Sequence, residues 1–181
     1  MGRLGQRDVE VELIEYGIHT EQSDIRAHVS VVAKCIYVFE TFRGIDAIRA
    51  NKPKLAPAYQ VGVDGPTATG YLVKTEWIQD LRRVKYYSWQ WDKFSPGLST
   101  TEKGRLAVLC VSDALRIGRF PLWVNGNDNL SRAIQVSGTD IIVSCNKRIQ
   151  VKCDYKGGDC NDGGTGNLFL QNAERNPLRR Y

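Results

Sequence analysis

Three side chains of complementary chemistry lie close together in the segment Gly138–Tyr155, GTDIIVSCNKRIQVKCDY. Asp140 heads one apolar run, and Gln150 and Lys152 lie in the next with a single residue between them. Both runs are rich in Ile and Val. Cys145-Asn146-Lys147 between them supplies turn residues, so the segment is expected to form a β-hairpin. A turn of those three residues would set Ser144 against Arg148 and Asp140 against Lys152. Side chains alternate along a strand, so Asp140, Gln150 and Lys152 would share one face while Ile141, Val143, Ile149, Val151 and Cys153 enter a core. A carboxylate, an amide oxygen and an ammonium on one face of an apolar hairpin are costly to build for packing alone. They suit metal-assisted chemistry on a phosphodiester. The plain alternative is a surface ion pair on an exposed strand face.

The elements around the hairpin must position these groups. Ser95-Pro96-Gly97-Leu98-Ser99 reads as a loop and a domain boundary. Thr100 or Thr101 is expected to cap a helix running to about Ile117 with Gly118 as its stop, burying Leu106, Leu109, Cys110, Ala114 and Ile117. Glu102 and Asp113 share a side of that helix. Glu102 is the candidate to lean toward the hairpin, although a first-turn carboxylate is favoured by the helix dipole in any case. Phe120–Val124 is an expected strand. Further upstream, Asp8–Tyr16 alternates like a strand, and Thr20 or Ser23 would cap a helix through His28, Val32, Cys35, Ile36 and Phe39. A short helix is expected over Ile45–Asn51. Ala58–Val63 and Thr69–Lys74 read as a hairpin with a long loop, and Asn167–Gln171 as a last short strand.

Helix, hairpin and the Asp140…Gln150-x-Lys152 signature, in that order, resemble the PD-(D/E)xK nuclease superfamily, the restriction-endonuclease-like fold. Asp140 matches the first acid, Gln150 stands at the second, and Lys152 matches the lysine; Thr139 replaces the usual proline. Lys103-Gly104-Arg105 resembles the lead-in to the preceding helix in resolvase-like members, with Val108 where those members carry a glutamate. The resemblance covers roughly residues 95–181. It implies an α/β fold with an α+β mixed sheet: a nuclease-like core over 95–181 and an N-terminal α+β extension over 1–94 that binds substrate or completes the core. The family's core continues past the lysine strand with a further helix; here that helix comes from residues 24–42, comes from a second subunit in a homodimer, or is absent. The implied activity is Mg²⁺-dependent hydrolysis of phosphodiester bonds in DNA, with Mn²⁺ as a substitute. Asp140, the Gln150 amide oxygen and the Val151 carbonyl would hold the ion, and Lys152 would orient water or stabilise developing charge. Asp154, two residues past Lys152, could restore the charge that Gln150 lacks. The opposing expectation is a nuclease-like module that binds nucleic acid or a protein without cutting, fed by Gln150 and Val108.

Composition agrees with a polyanionic partner without naming it. The chain has 181 residues, 42% hydrophobic and 25% charged, a formal net charge of +5 and a pI near 9.0. Between Glu76 and Lys93 cations alternate with rings, and Arg82, Arg83 and Lys85 are candidate nucleic-acid contacts. Tyr87, Trp89 and Trp91 are expected to be core. Lys156, in a glycine-rich loop, and Arg175 and Arg179, in the basic tail, complete the candidates. That loop lacks the Gly-Lys-Ser/Thr ending of a nucleotide-binding P-loop. No apolar run is long enough to span a membrane, and the start of the chain lacks a signal-peptide core. Five scattered cysteines read as reduced thiols, with a zinc site around Cys145, Cys153 and Cys160 as the lesser alternative. These features point to an intracellular, cytoplasmic protein, and the family resemblance is compatible with a prokaryotic or phage setting.

Overall fold

The computed structural model describes residues 23–51, 57–62, 65–85, 89–117, 139–143 and 146–171. The expected strands at Asp8–Tyr16 and Phe120–Val124, residue Tyr87, and the basic tail with Arg175 and Arg179 lie outside the described residues. Within them the chain is a mixed α+β structure. A five-stranded sheet is ordered β5-β2-β1-β7-β6, built from β1 (Ile25–Ser30), β2 (Cys35–Glu40), β5 (Arg82–Lys85), β6 (Ile141–Ile142) and β7 (Arg148–Cys153). A three-stranded sheet holds β3 (Pro57–Gly62), β4 (Gly65–Lys74) and β8 (Asn167–Gln171) in the order β3-β4-β8. Two helices accompany them, α1 (Thr41–Asn51) and α2 (Thr100–Arg116). β1 runs antiparallel to β2 and parallel to β7, so the large sheet is mixed.

Residues 25–40 form a hairpin where the sequence suggests a helix. Every residue of β1 is buried, and so is all of β2 except Glu40. β2, CIYVFE, reads as a near-continuous apolar run, which periodicity alone does not separate from a buried helix, while β1 alternates Ile25, Ala27 and Val29 with Arg26, His28 and Ser30. Val29, Ile36 and Val38, branched at Cβ, favour the extended form. Lys34 closes the turn in the left-handed region, at φ 48.

Alternation along these strands creates two cores. Ile25, Ala27, Val29, Ile36, Val38, Ile149 and Val151 face α2 and meet Ala107, Cys110, Val111 and Ala114. Cys35, Tyr37 and Phe39 face the other way, against Ile45 and Ile48 of α1 and Val73, Leu168 and Leu170 of the small sheet. Leu109 and Ile117, expected in the buried stripe of α2, are exposed; Ala107, Val111 and Leu115 take the inner positions instead. Trp91 is core, as expected, but it sits in a 3-10 turn at Trp89–Lys93 rather than on a strand continuing from Val84.

Strands from both halves of the chain pair in both sheets: β1 with β7 and β4 with β8. Residues 1–94 therefore contribute β1, β2 and β5 to the sheet that carries β7, and a cut at residue 94 would divide it. The β3–β4 connection is tight, with Gly62 opposite Gly65, where a long loop is expected from the sequence. Among the described residues no helix is long and apolar enough to cross a membrane.

Candidate functional site

β6 covers only Ile141 and Ile142, so β7 runs on past its edge partner. Among the described residues no strand pairs with β7 beyond Ile149 on this side; the N–H of Val151 points there, and Asp140 supplies its acceptor: Val151 N–H donates to Asp140 Oδ2 at 2.7 Å. The Asp140 N–H in turn donates to the Ile149 carbonyl at 2.9 Å. In an extended strand the N–H and C=O of one residue project to the same side, so the Val151 carbonyl is turned toward this edge as well. Burial pushes the Asp140 carboxyl above the ordinary aspartate range, opposed by the Val151 N–H and by the positive charge of Lys152. Lys152 is thus near enough to act on Asp140 electrostatically.

The hairpin register differs from the three-residue-turn expectation. Ile141 opposes Ile149 and Ile142 opposes Arg148, and the next step along brings Asp140 beside Gln150 rather than Lys152; Ser144 lies outside the described residues. The turn closes early: Val143 N–H donates to the Lys147 carbonyl at 3.0 Å, and Asn146 takes a left-handed conformation at φ 56, which Asn tolerates. The expected sharing of one strand face is replaced by a shared edge. Asp140 lies beyond the end of β6, where the pleat no longer fixes its direction, and its side chain lines a hollow with α2. Gln150 and Lys152 alternate with Val151, which enters the α2 core, and so project from the opposite face of β7.

On that opposite face β1 sets Arg26 beside Gln150 and His28 beside Lys152. Neither Arg26 nor His28 is among the residues singled out from the sequence. The signal was available, since IRAHVS places Arg, His and Ser at alternate positions, but it is legible only once the segment is read as a strand. Gln150 is 8% exposed, and no described residue donates to its Oε1. Burial lowers the Arg26 pKa to about 10. Burial also lowers the His28 pKa, against the pull of Asp154 and with Arg26 and Lys152 adding to the effect, which leaves the imidazole neutral at pH 7. It stacks on Phe39 with ring centroids 5.5 Å apart.

Asp154 is held away from the candidate metal site. Its Oδ2 accepts the Phe169 N–H at 2.9 Å and lies 3.6 Å from His28 Nδ1. Burial alone would raise its pKa, but His28 and the backbone donors outweigh that and keep it below the ordinary range. It is an anchor between β7 and β8, not a replacement for the missing second acid. Glu102 is also engaged elsewhere. It forms a capping box with Ser99, the residue that caps α2 in place of Thr100 or Thr101: Ser99 N–H donates to Glu102 Oε2 at 2.7 Å, and Glu102 N–H donates to Ser99 Oγ at 3.2 Å. Those bonds lower its pKa.

The basic candidates divide. Arg83 and Lys85 are paired with acids of the glycine-rich loop, Arg83 with Asp159 at 3.3 Å and Asp162 at 3.2 Å, and Lys85 with Asp162. Arg82 is exposed and lines a separate hollow with Glu40, Arg43, Asp80 and Lys147. Lys156 is exposed. The loop itself is closely tied. Gly158 and Gly166 N–H groups donate to the Asn167 and Gly158 carbonyls at 2.9 and 2.7 Å, and Asp159 N–H donates to Tyr37 Oη at 3.0 Å.

Among the described residues no three His, Cys, Asp or Glu side chains cluster as metal ligands. The oxygens that the hairpin edge does offer are one carboxylate and one backbone carbonyl; the Gln150 amide oxygen, with no donor among the described residues, lies on the opposite face of β7. They are hard donors, of the kind Mg²⁺ takes while keeping several waters. No family model, curated protein or solved structure matches the chain.

Proposed function

We propose that this chain is a metal-dependent endonuclease that hydrolyses phosphodiester bonds in DNA, with a nuclease-like core of the PD-(D/E)xK type. The observation that carries the reading is the seat of Asp140: a partly buried carboxylate at an unfinished sheet edge, bonded to the Val151 N–H and within the field of Lys152. A neutral acceptor would satisfy the Val151 N–H as well, so closing the edge does not by itself call for an acid. Asp140 and the Val151 carbonyl would hold the ion; Gln150 Oε1, orphaned on the opposite face of β7, would join them only if its side chain turned round the strand edge. A bound Mg²⁺ would supply Lewis acidity at the phosphate and a more acidic water. Asp140 gives the site its negative charge, and its raised pKa means that the charge is complete only above the ordinary carboxylate range. Lys152 stabilises the negative charge that develops on the phosphate oxygens. Burial around Val151 and Asp140 lowers the local dielectric and strengthens each of these interactions.

A second reading has its own support. Glu102 is occupied as a cap and Asp154 as an anchor, so Asp140 is the one acid of the notional set that faces the hollow. A module that grips nucleic acid without cutting needs no more than that. Incubation with supercoiled plasmid separates the two: Mg²⁺- or Mn²⁺-dependent nicking that EDTA stops, and that Asp140→Ala and Lys152→Ala each reduce by about a hundredfold or more, supports the enzyme. Retarded mobility without nicking under either metal supports the module.

A further inference from the structure

The hollow of about 610 Å³ between α2 and the hairpin edge is lined by Thr101, Gly104, Arg105 and Leu109 on one side and Asp140 and Val151 on the other. Gly104 is the informative residue. It sits inside α2, where glycine is about 1 kcal/mol less favourable than alanine, yet a Cβ built there would have nothing within 4 Å. Packing therefore does not call for a glycine. What its absent side chain leaves is open space directly in front of the helix, facing Asp140. Arg105, next along, is exposed, and no carboxylate among the described residues pairs with it. Glu102, the acid whose titration it affects, is already bonded to Ser99. Thr101 lies one turn before Arg105 on the same side of the helix, adding a hydroxyl donor, and Leu109, 40% exposed, gives an apolar wall one turn after it.

We propose that this hollow seats the sugar-phosphate backbone of a polynucleotide strand, with Arg105 clamping a phosphate and Gly104 allowing the strand to approach α2 closely. The inference rests on the proposed phosphodiester chemistry and adds to it the residues that position the substrate. The guanidinium fork matches two phosphate oxygens, and a cation that no described carboxylate pairs, in a chain of formal net charge +5, favours a polyanion over any neutral ligand. Leu109 offers a sugar ring an apolar contact. Arg105 acts by holding the strand, so it is a positioning residue and its loss acts on binding first.

The test uses full-length protein in EDTA, where no cutting occurs, titrated against a fluorescein-labelled DNA duplex and the corresponding single strand and read by anisotropy. Arg105→Ala is expected to weaken binding about tenfold and to reduce the slope of log affinity against log salt by about one phosphate contact. Arg105→Lys should recover the slope but only part of the affinity, since the charge returns without the fork. Gly104→Ala should raise the melting temperature by about 2–4 °C and still weaken binding severalfold, a combination that a purely structural glycine would not give. Wild-type affinity in both Gly104→Ala and Arg105→Ala, or no binding of either DNA by wild type, overturns the proposal. Its fate is separable from that of the proposed reaction. Arg105-dependent binding without nicking under Mg²⁺ or Mn²⁺ retains the seat and rejects the enzyme. Nicking with unchanged affinity in Arg105→Ala retains the enzyme and rejects the seat.

Discussion

At the β5 edge of the large sheet, Arg83 and Lys85 meet Asp159 and Asp162, and Tyr37 Oη donates to Asp162 at 3.0 Å while accepting the Asp159 N–H. At the β6 edge, among the described residues, Asp140 meets a single backbone N–H, Gln150 Oε1 meets no donor, and Arg105 meets no carboxylate. The two edges contain the same kinds of side chain. In one, acids and bases satisfy one another and fasten a loop; in the other they are left short of partners around open space. Basic residues are a weak guide to a nucleic-acid surface until their partners are known, and an incomplete edge is a better one. The comparison also explains why one edge tolerates a strand of only two residues. Asp140 stands in for the missing ladder acceptor and so closes the edge chemically where the strand does not close it sterically.

The β5 edge should be the easier one to break by folding, and the largest stability effect is expected at Gly158. Its φ is +105, and a Cβ there would come within 2.3 Å of the Tyr37 ring, whose side chain is fully buried. The ring has no room to move, because it lies in the core between Cys35 and Phe39 on one side and the loop on the other. Gly158→Ala is expected to cost on the order of 3 kcal/mol, from left-handed strain and overpacking together. Chemical denaturation monitored by tryptophan fluorescence checks it. A loss under 1 kcal/mol would mean that the loop is held elsewhere, and that its glycines answer to something other than Tyr37.

The reach of the sequence differed between these edges for a physical reason. Ile149, Val151 and Cys153 alternate with Gln150 and Lys152 in a strand half polar and half apolar, and such alternation is readable at once. The face assignment of Gln150 and Lys152 and the hairpin itself follow from it. The helix over Thr100–Arg116 was readable from its apolar spacing, but its cap was not: Ser99 and Glu102 form a reciprocal pair, and a Glu that looks available for chemistry is identical in sequence to one that closes a capping box. β2 was hidden because its residues are apolar on both faces, and β1, although Arg26, His28 and Ser30 alternate with Ile25, Ala27 and Val29, was absorbed into the helix read through it. With them went Arg26 and His28, whose proximity to Gln150 and Lys152 depends on a parallel pairing across more than 120 residues of chain. No local pattern encodes that. In the glycine-rich loop from Lys156 to Gly166 the glycines have different causes: the Tyr37 ring crowds Gly158 and the loop's own carbonyls crowd Gly164, while Gly163 has open space and a left-handed backbone at φ 89.

At the β6 edge the expectation is reversed: a substitution that removes function should strengthen the fold. Burial raises the Asp140 pKa, so the folded chain holds that proton more tightly than the unfolded chain does. Stability attributable to this group is therefore full below the ordinary aspartate pKa and is lost as pH rises through the raised folded value. Asp140→Asn keeps an acceptor for the Val151 N–H and removes the ionisation. It is expected to stabilise the protein by about 0.5–2 kcal/mol at pH 7, with the gain vanishing below about pH 4. Adding Mg²⁺ should raise the melting temperature of wild type and leave the variant unmoved, because an ion bound only by the folded state stabilises it by mass action. A destabilised Asp140→Asn at neutral pH would show that the carboxylate is there to hold the edge, and an equal response of both proteins to Mg²⁺ would remove Asp140 from the ion.

The smallest effect, and the sharpest comparison of the two edges, is expected from Arg83→Ala and Lys85→Ala. Both cations are substantially exposed, at 46% and 61% of the side chain, so each pair is worth only about 0–1 kcal/mol despite close geometry. Their common acceptor is the more deeply placed partner: the Asp162 side chain is 5% exposed, and its pKa is lowered chiefly by Lys85, with Tyr37 and the charge of Arg83 adding. For a carboxylate with a lowered folded pKa the stabilisation is complete above the ordinary value and is lost as pH falls through the lowered one. The stability gap between wild type and either variant should accordingly be present at pH 7 and close on acidification below about pH 4, as measured by urea unfolding across that range. Affinity for the labelled duplex should stay within about twofold of wild type in both variants, since cations already neutralised by Asp159 and Asp162 release few counterions from DNA. Arg105→Ala under the same conditions is expected to lose about tenfold. If Arg83→Ala or Lys85→Ala weakens binding as much as Arg105→Ala does, the β5 edge is part of the nucleic-acid surface, and the ion pairs with the loop open when the strand arrives.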